Sequence, residues 1–168
     1  MTPSDHHQSD AAGPLGYAVL TVSDTRTPQT DASGAAIIEL MDAAGHTRVD
    51  YRIVRDETQA IRGCVTAWVN DPRCRVVLMT GGTGVASRDV TVEAVEPLFD
   101  KRLEGFGELL RQRSFQQVGP AAMLSRATAG VSSGTVIFAM PGSTAAVRLA
   151  MTELVLPPLR HLVALVAG

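Results

Sequence analysis

The sequence predicts a single-domain α/β fold with a mostly parallel central sheet, and three observations carry that expectation. Short apolar runs alternate with segments of helical periodicity along most of the chain. Polar loops ("SDT", "RDE", "TGGTG" and "PGST") follow the carboxyl ends of the apolar runs. The length, 168 residues, suits one domain with its own core, and no internal repeat or interdomain linker is visible.

The first strand is "YAVLTV", Tyr17–Val22, an unbroken apolar run that ends in "SDT". In the following "DASGAAIIELMDAAG", Ile37, Ile38, Leu40, Met41 and Ala44 recur at helical spacing, and Gly45 supplies a stop. "RVDYRIV" alternates Val49, Tyr51 and Ile53 with polar neighbours, a strand with one exposed face, and ends in "RDE". Ile61, Val65, Trp68 and Val69 form the stripe of a second helix that stops near "NDP". "RVVLMT" is a third strand and runs into "TGGTG". The next helix is expected to begin near Thr91 as its N-cap, with Glu93 at its positive end, and Pro97 ends or bends it early. "GFGELLRQRSFQQVG" gives a further short helix, and "RATAGV" and "TVIFAM" give two strands around "SSG". A C-terminal helical pattern starts at Thr144, is interrupted at Pro157–Pro158 and resumes through "LRHLVALVAG". The leucines and valines of that stretch are expected to cover a neighbouring surface.

Composition excludes several classes. Apolar residues make up 45% and charged residues 19%, and the net charge of -2 argues against a nucleic-acid surface. No run of about 18 apolar residues exists to span a membrane. "MTPSDHHQSDAAGP" lacks the apolar segment of a secretory signal, so residues 1–13 are expected to form a disordered tail and 14–168 the folded domain. His6 and His7 on that tail make no metal site. Cys64 and Cys74 have no metal-ligand spacing and suit reduced core thiols, which fits a cytoplasmic protein. No histidine or cysteine cluster suits zinc or iron.

The loops carry the chemistry. In open parallel sheets ligands bind outside the carboxyl ends of the strands. Ser23, Asp24, Asp56, Gly81–Asp89 and Gly142–Ser143 are therefore expected along one rim. The rim carries neither the P-loop lysine nor the spacing of the dinucleotide fingerprint. Its glycines and helix starts instead offer backbone N–H donors to anions. Asp24, Asp56 and Asp89 could hold a hard cation such as Mg2+, and Arg88 offers a planar fork to phosphate. Singly, each has an ordinary role. "GGTG" can be a tight turn, Asp24 and Asp56 can be turn or cap residues, "PGST" a capped helix start and Glu108 a solvated helix residue. Their joint placement on one rim points to phosphate or nucleotide chemistry assisted by Mg2+.

"TVSDT", "TGGTGVASRDVTVEA", "EGFGELLR", "LSRATAG" and "FAMPGST" occur here in that order, from Gly16 to about Leu159. In these segments the chain resembles the molybdopterin adenylyltransferase family, which includes the MogA and MoaB proteins and the gephyrin G domain. "LFDKRLEGFGELLR" and "FAMPGSTAAVRLAMTELVLPPL" are more similar to the MoaB branch. The resemblance implies a three-layer α/β/α sandwich, usually a homotrimer, with hexamers in parts of the MoaB branch. It implies Mg2+-dependent transfer of AMP from ATP to the terminal phosphate of molybdopterin, with release of pyrophosphate, and a later enzyme that inserts the metal. By the same resemblance, Asp89 matches the family's essential catalytic aspartate, and Asp89 with Asp56 would hold the metal. Thr21, Ser23, Asp24, Gly81, Gly82, Thr83, Gly84, Arg88, Ser125, Pro141, Gly142 and Ser143 fall in the motifs that line the substrate pockets, with Glu108 near them. The other function compatible with this resemblance is a molybdopterin carrier or regulator without adenylylation. Its hallmark would be loss of the acid of "RDVT", which is intact here.

Overall fold

In the computed structural model, which describes residues 13–168, the apolar strands are buried on both faces. All but the last residue of the expected N-terminal tail lie outside the described residues. Along β1 (Gly16–Val22), Tyr17 and Val19 face one side of the sheet, while Ala18, Leu20 and Val22 face the other. The same alternation runs through β3 (Val76–Thr80) and β6 (Thr135–Met140). An unbroken apolar run is what a strand covered on both faces requires.

β2 (Thr47–Val54) lies at one edge of the sheet, with its order β2-β1-β3-β6-β5-β4. The first four strands in that order are parallel. β5 (Thr128–Ser132) runs antiparallel to β6, and the two-residue β4 (Lys101–Arg102) antiparallel to β5. The turn between β5 and β6 places Ser133 at φ 47° and Gly134 at φ 79°. Two successive positive values are the mirror-image turn that matches the twist of an antiparallel pair.

Helices α1 (Ala32–Ala43), α4 (Glu104–Val118), α5 (Thr144–Ala150) and α6 (Leu159–Ala167) pack on the face of Tyr17 and Val19. Helices α2 (Thr58–Val69) and α3 (Thr91–Val95) cover the face of Ala18 and Leu20. The result is a three-layer α/β/α sandwich, as expected. Among the described residues no single helix is long and apolar enough to cross a membrane.

Four details depart from the sequence expectation. Thr91 is the first residue of α3 rather than its cap; Val90 holds the cap position and makes no side-chain cap bond. The Thr91 hydroxyl donates instead to the Gly81 carbonyl at 2.8 Å, so a residue that looks like a cap is spent on the glycine loop. Pro97 does end α3 early, within a 3-10 turn at Glu96–Leu98. The short strand β4 and a 3-10 stretch at Gly119–Leu124 had no periodicity to announce them. At the C-terminus a π-helical turn, Met151–Val155, precedes the proline break. Val155, Leu159 and Val163 then turn into the chain's own core, while Leu165 of the same stretch is exposed.

Gly63 sits exposed in the middle of α2, where an added Cβ would meet nothing within 4 Å. Gly63→Ala is expected to stabilise the fold by roughly 0.5–1 kcal/mol, through the backbone entropy that glycine loses in a helix. A higher urea midpoint at unchanged slope would register it. A lower midpoint would show that α2 needs the glycine for a reason its surroundings do not reveal.

Candidate functional site

The sheet order reverses direction between β1 and β3, because β1 leads to β2 on one side and β2 leads back past β1 to β3. A crevice opens outside the carboxyl ends of strands at such a point. Here it encloses about 280 Å³. The end of β1 contributes Thr21, Ser23 and Asp24, and the loop after β2 contributes Asp56. The loop after β3 contributes Gly81, Gly82, Arg88 and Asp89, and the loop after β6 contributes Gly142. Eight of these residues were expected on one rim from the strand-end pattern and Thr21 from the family resemblance, and all nine line one crevice.

Local hydrogen bonds explain how each loop holds its shape. Ser23 Oγ accepts from the N–H groups of Thr25 and Arg26 at 3.2 and 3.1 Å, closing the turn after β1. Asp24 Oδ1 accepts from Asp56 N at 3.2 Å, which ties the β1 loop to the β2 loop. Gly81 N donates to Met140 O at 3.1 Å, and Thr80 Oγ1 donates to Pro141 O at 2.8 Å, joining the β3 loop to the β6 loop. Asp89 Oδ2 accepts from Ala86 N at 2.9 Å while Asp89 N donates to Ala86 O at 2.9 Å, so the carboxylate closes its own turn.

The glycine loop shows a one-sided pattern. Gly81 O accepts from Thr91 Oγ1, Gly82 O from Thr91 N, Thr83 O from Arg126 N and Gly84 O from Arg126 Nε. Four consecutive carbonyls are therefore engaged by protein donors. The N–H groups of Gly82, Thr83 and Gly84 have no acceptor among the described residues. A run of donors with its carbonyls tied back is a cradle for an anion's oxygens. Gly81 and Gly82, at φ 96° and 68°, are the residues that let the backbone take this path.

Opposite charge stands beside that cradle. Burial raises the Asp56 carboxyl above its ordinary 3.8, and the Asp24 and Asp89 carboxylates raise it further, against Arg88, which lowers it. Carboxylates that repel one another in a crevice are suited to a cation. Among the described residues no three acidic, histidine or cysteine groups form a metal cage of their own. Mg2+ fits such a place, because it takes one or two carboxylates and completes its shell with water and phosphate oxygens.

The raised Asp56 carboxyl has a stability consequence. A group whose pKa is higher folded than unfolded stabilises the fold below the unfolded value, and that contribution is lost as pH rises through the folded value. At neutral pH Asp56 is therefore a cost. Asp56→Asn is expected to raise the melting temperature by about 1–3 °C at pH 7 and to have no such benefit near pH 3. Thermal melts at the two pH values check this, and an equal shift at both would rule out the electrostatic cause.

The remaining expected residues lie around the crevice and not on its wall. Thr83 is buried, with its carbonyl held by Arg126, and Gly84 packs where an added Cβ would lie 2.7 Å from Asp89 Oδ2. Pro141 contributes a carbonyl to Thr80, and Ser143 caps α5 by accepting from Ala146 N at 3.2 Å. Ser125 borders a second cavity of about 390 Å³ beside Arg111 and Arg126. Glu108 is exposed on α4 and lines neither cavity, although its neighbour Gly107 borders the second.

Asp31 and Ser33 are crevice residues that the sequence did not single out. Asp31 caps α1 by accepting from Gly34 N at 2.9 Å, and its other oxygen accepts from Thr21 Oγ1 and Tyr51 Oη, each at 2.6 Å. Burial and Asp31 together raise the Tyr51 hydroxyl well above its ordinary range, so it remains a donor. Ser33 Oγ donates to Gly142 O at 2.8 Å. The signal was an aspartate at a helix start nine residues after the end of β1, which reads as a cap and is one.

Fold and site together define an α/β protein with a carboxylate-lined crevice at the switch point of its mostly parallel sheet. A sequence profile described as "Probable molybdopterin binding domain" matches residues 18–161. The chain is 48% identical over 158 residues to molybdenum cofactor biosynthesis protein B of Bacillus subtilis, covering 94% of this chain and 93% of that one. It is 46% identical to the Escherichia coli protein of the same name over 146 residues, covering 87% of this chain and 86% of that one. Among solved structures, the tungsten cofactor synthesizing protein MoaB from Pyrococcus furiosus superimposes with a TM-score of 0.83 at 35% identity, over 92% of this chain and 98% of that one. The chain belongs to this molybdopterin-binding domain family of cofactor biosynthesis proteins.

Proposed function

We propose that this protein transfers AMP from ATP to the terminal phosphate of molybdopterin, releasing pyrophosphate, with Mg2+ as its cation. The observation that carries the reading is the glycine loop, whose Gly81–Gly84 carbonyls are all engaged and whose Gly82 N–H, on the crevice wall, remains for a phosphate oxygen, with Asp89 lining the same crevice. A donor cradle binds phosphates without a lysine, which accounts for the missing P-loop residue.

In this reading, Gly82 orients the phosphates from the crevice wall, with Thr83 and Gly84 holding the loop behind it, and Arg88 offsets their charge from the rim. Asp89 and Asp56 would hold Mg2+, which when bound lowers the charge on the phosphates. Thr21 gives its only hydroxyl proton to Asp31, so its oxygen faces the crevice as an acceptor for a ligand's N–H. Asp24 fixes the distance between the β1 and β2 loops through Asp56 N.

Self-association belongs to the same reading, on a different surface from the one expected. Leu109, Phe115 and Val118 on α4, with Met123 and Leu124 just beyond it, are exposed at 49–76%, a larger group than the single exposed leucine, Leu165, of the C-terminal helix. We therefore assign the contact between copies to α4.

Pyrophosphate released from ATP by the purified protein tests the reading. Release is expected only when molybdopterin and Mg2+ are both present. Tight molybdopterin binding without any pyrophosphate would favour the carrier role instead.

A further inference from the structure

Arg126 holds two of the four glycine-loop carbonyls, as many as Thr91, and in addition reaches the carbonyl of Asp89. Its N–H donates to Thr83 O and its Nε to Gly84 O, each at 2.8 Å, and its Nη2 donates to Asp89 O at 3.2 Å. On its far side, Nη1 pairs closely with Glu93 Oε1, and Nη2 reaches Glu93 Oε2 at 3.4 Å. Glu93 belongs to the first turn of α3. One planar fork thus joins Gly84 within the loop, the peptide of Asp89 and the helix that follows.

We propose that Arg126 is a positioning residue for AMP transfer: it fixes the peptide plane of Asp89, and so the direction of its carboxylate, with Glu93 holding the guanidinium in place. The proposal rests on the AMP-transfer reading of the crevice. Its geometry is one that lysine cannot reproduce. A guanidinium carries five N–H donors fixed in a plane, whereas an ammonium is a point charge that cannot meet two separated carbonyls and a carboxylate together.

Orientation, and not the ion pair itself, is what the contact supplies. The Arg126 and Glu93 side chains are 35% and 51% exposed, so their attraction is screened by water and adds little to stability. The hydrogen bond from Arg126 nevertheless holds the Glu93 carboxyl below its usual value, so the pair stays charged across the neutral range. The segment that carries Arg126 also enters β5 immediately, which anchors the fork to the sheet and not to another loop.

The test uses Arg126→Gln and Arg126→Lys in the full chain, with amide hydrogen exchange read residue by residue beside steady-state AMP transfer. The amides of Ala86 and Asp89 bond only within the loop's own turn, so they report its order. In both variants these two are expected to exchange about tenfold or more faster, while β1 and β3 keep wild-type protection. Turnover is expected to fall about tenfold or more with the KM for ATP within about threefold, since geometry and not binding is lost. Unchanged loop exchange overturns the proposal, as does equal acceleration through β1 and β3 or full rescue by lysine. Should Arg126→Gln fail to fold, Arg126→Lys keeps the charge beside Glu93 and carries the comparison alone. If the wild type transfers no AMP, the exchange arm still reads the clamp, so the failure of that reading and the failure of this one are distinguishable.

Discussion

Asp89→Asn is expected to fold, to bind molybdopterin and to lose AMP transfer by at least about a hundredfold, the scale of a preorganised charge contact. The expectation follows from what each Asp89 oxygen does. Oδ2 closes the turn by accepting from Ala86 N, and an amide oxygen can accept the same bond. Asparagine therefore keeps the loop while removing the charge next to the donor cradle. Asp89 does not cap α3, since Val90 occupies the cap position, so no cap is lost either. The melting temperature is expected to move by no more than about 2 °C, as for substitutions that break no core contact. Turnover and melting measured on one preparation decide it: near-normal pyrophosphate release with a lowered melting point would make Asp89 a purely structural residue.

Gly81→Ala is expected to damage both fold and site. Gly81 takes φ 96°, a region side chains rarely adopt, and an added Cβ would lie 2.2 Å from Val22 O. That obstacle is backbone in the central strand β1, so no rotamer change relieves it. Strain and collision together are expected to cost at least about 3 kcal/mol, or roughly 6–12 °C in melting temperature for a chain of this size. The displaced loop would also carry its donors out of register, and a shift of about 1 Å is enough to cost about a hundredfold in rate. Gly63→Ala, which meets nothing, is the matched control. If the two variants melt alike, the close approach of β1 and the glycine loop has been misjudged.

Much of this was legible in the residues because strand ends and helix starts follow local rules. The run "YAVLTV" must be covered on both faces, and β1 is. Four polar loops at four strand ends had to share a rim if the strands were parallel, and β1, β2, β3 and β6 are. What sequence could not supply were roles set by partners distant along the chain. Thr91 looks like a cap until Gly81 O is seen to take its hydroxyl proton. Asp31 looks like nothing more than a cap, although Thr21 and Tyr51 converge on it. Arg126 stands next to the Ser125 that the family resemblance singled out, and only the fold brings its guanidinium to Gly84 and Asp89. The C-terminal leucines and valines divide for the same reason: an apolar stripe does not say whose surface it covers, and here Val155, Leu159 and Val163 cover the chain's own core while Leu165 stays exposed.

The contact of Ser33 with Gly142 spans 109 positions of sequence, and it closes the crevice wall. Its consequence lies in folding order. β1, β2 and β3, with α1 and α2, come off the ribosome early and can pair among themselves, but β6 completes the centre of the sheet from the last quarter of the chain. Until β6 docks beside β3, the glycine loop lacks the Met140 carbonyl that anchors Gly81 N, and Arg126 has no strand beneath it. Long-range parallel pairing of this kind is slow, because the loop-closure entropy is lost before the contacts are gained. A chain that stops short of β6 therefore lacks one wall of the crevice, and the crevice takes shape only with the last strand to enter the sheet.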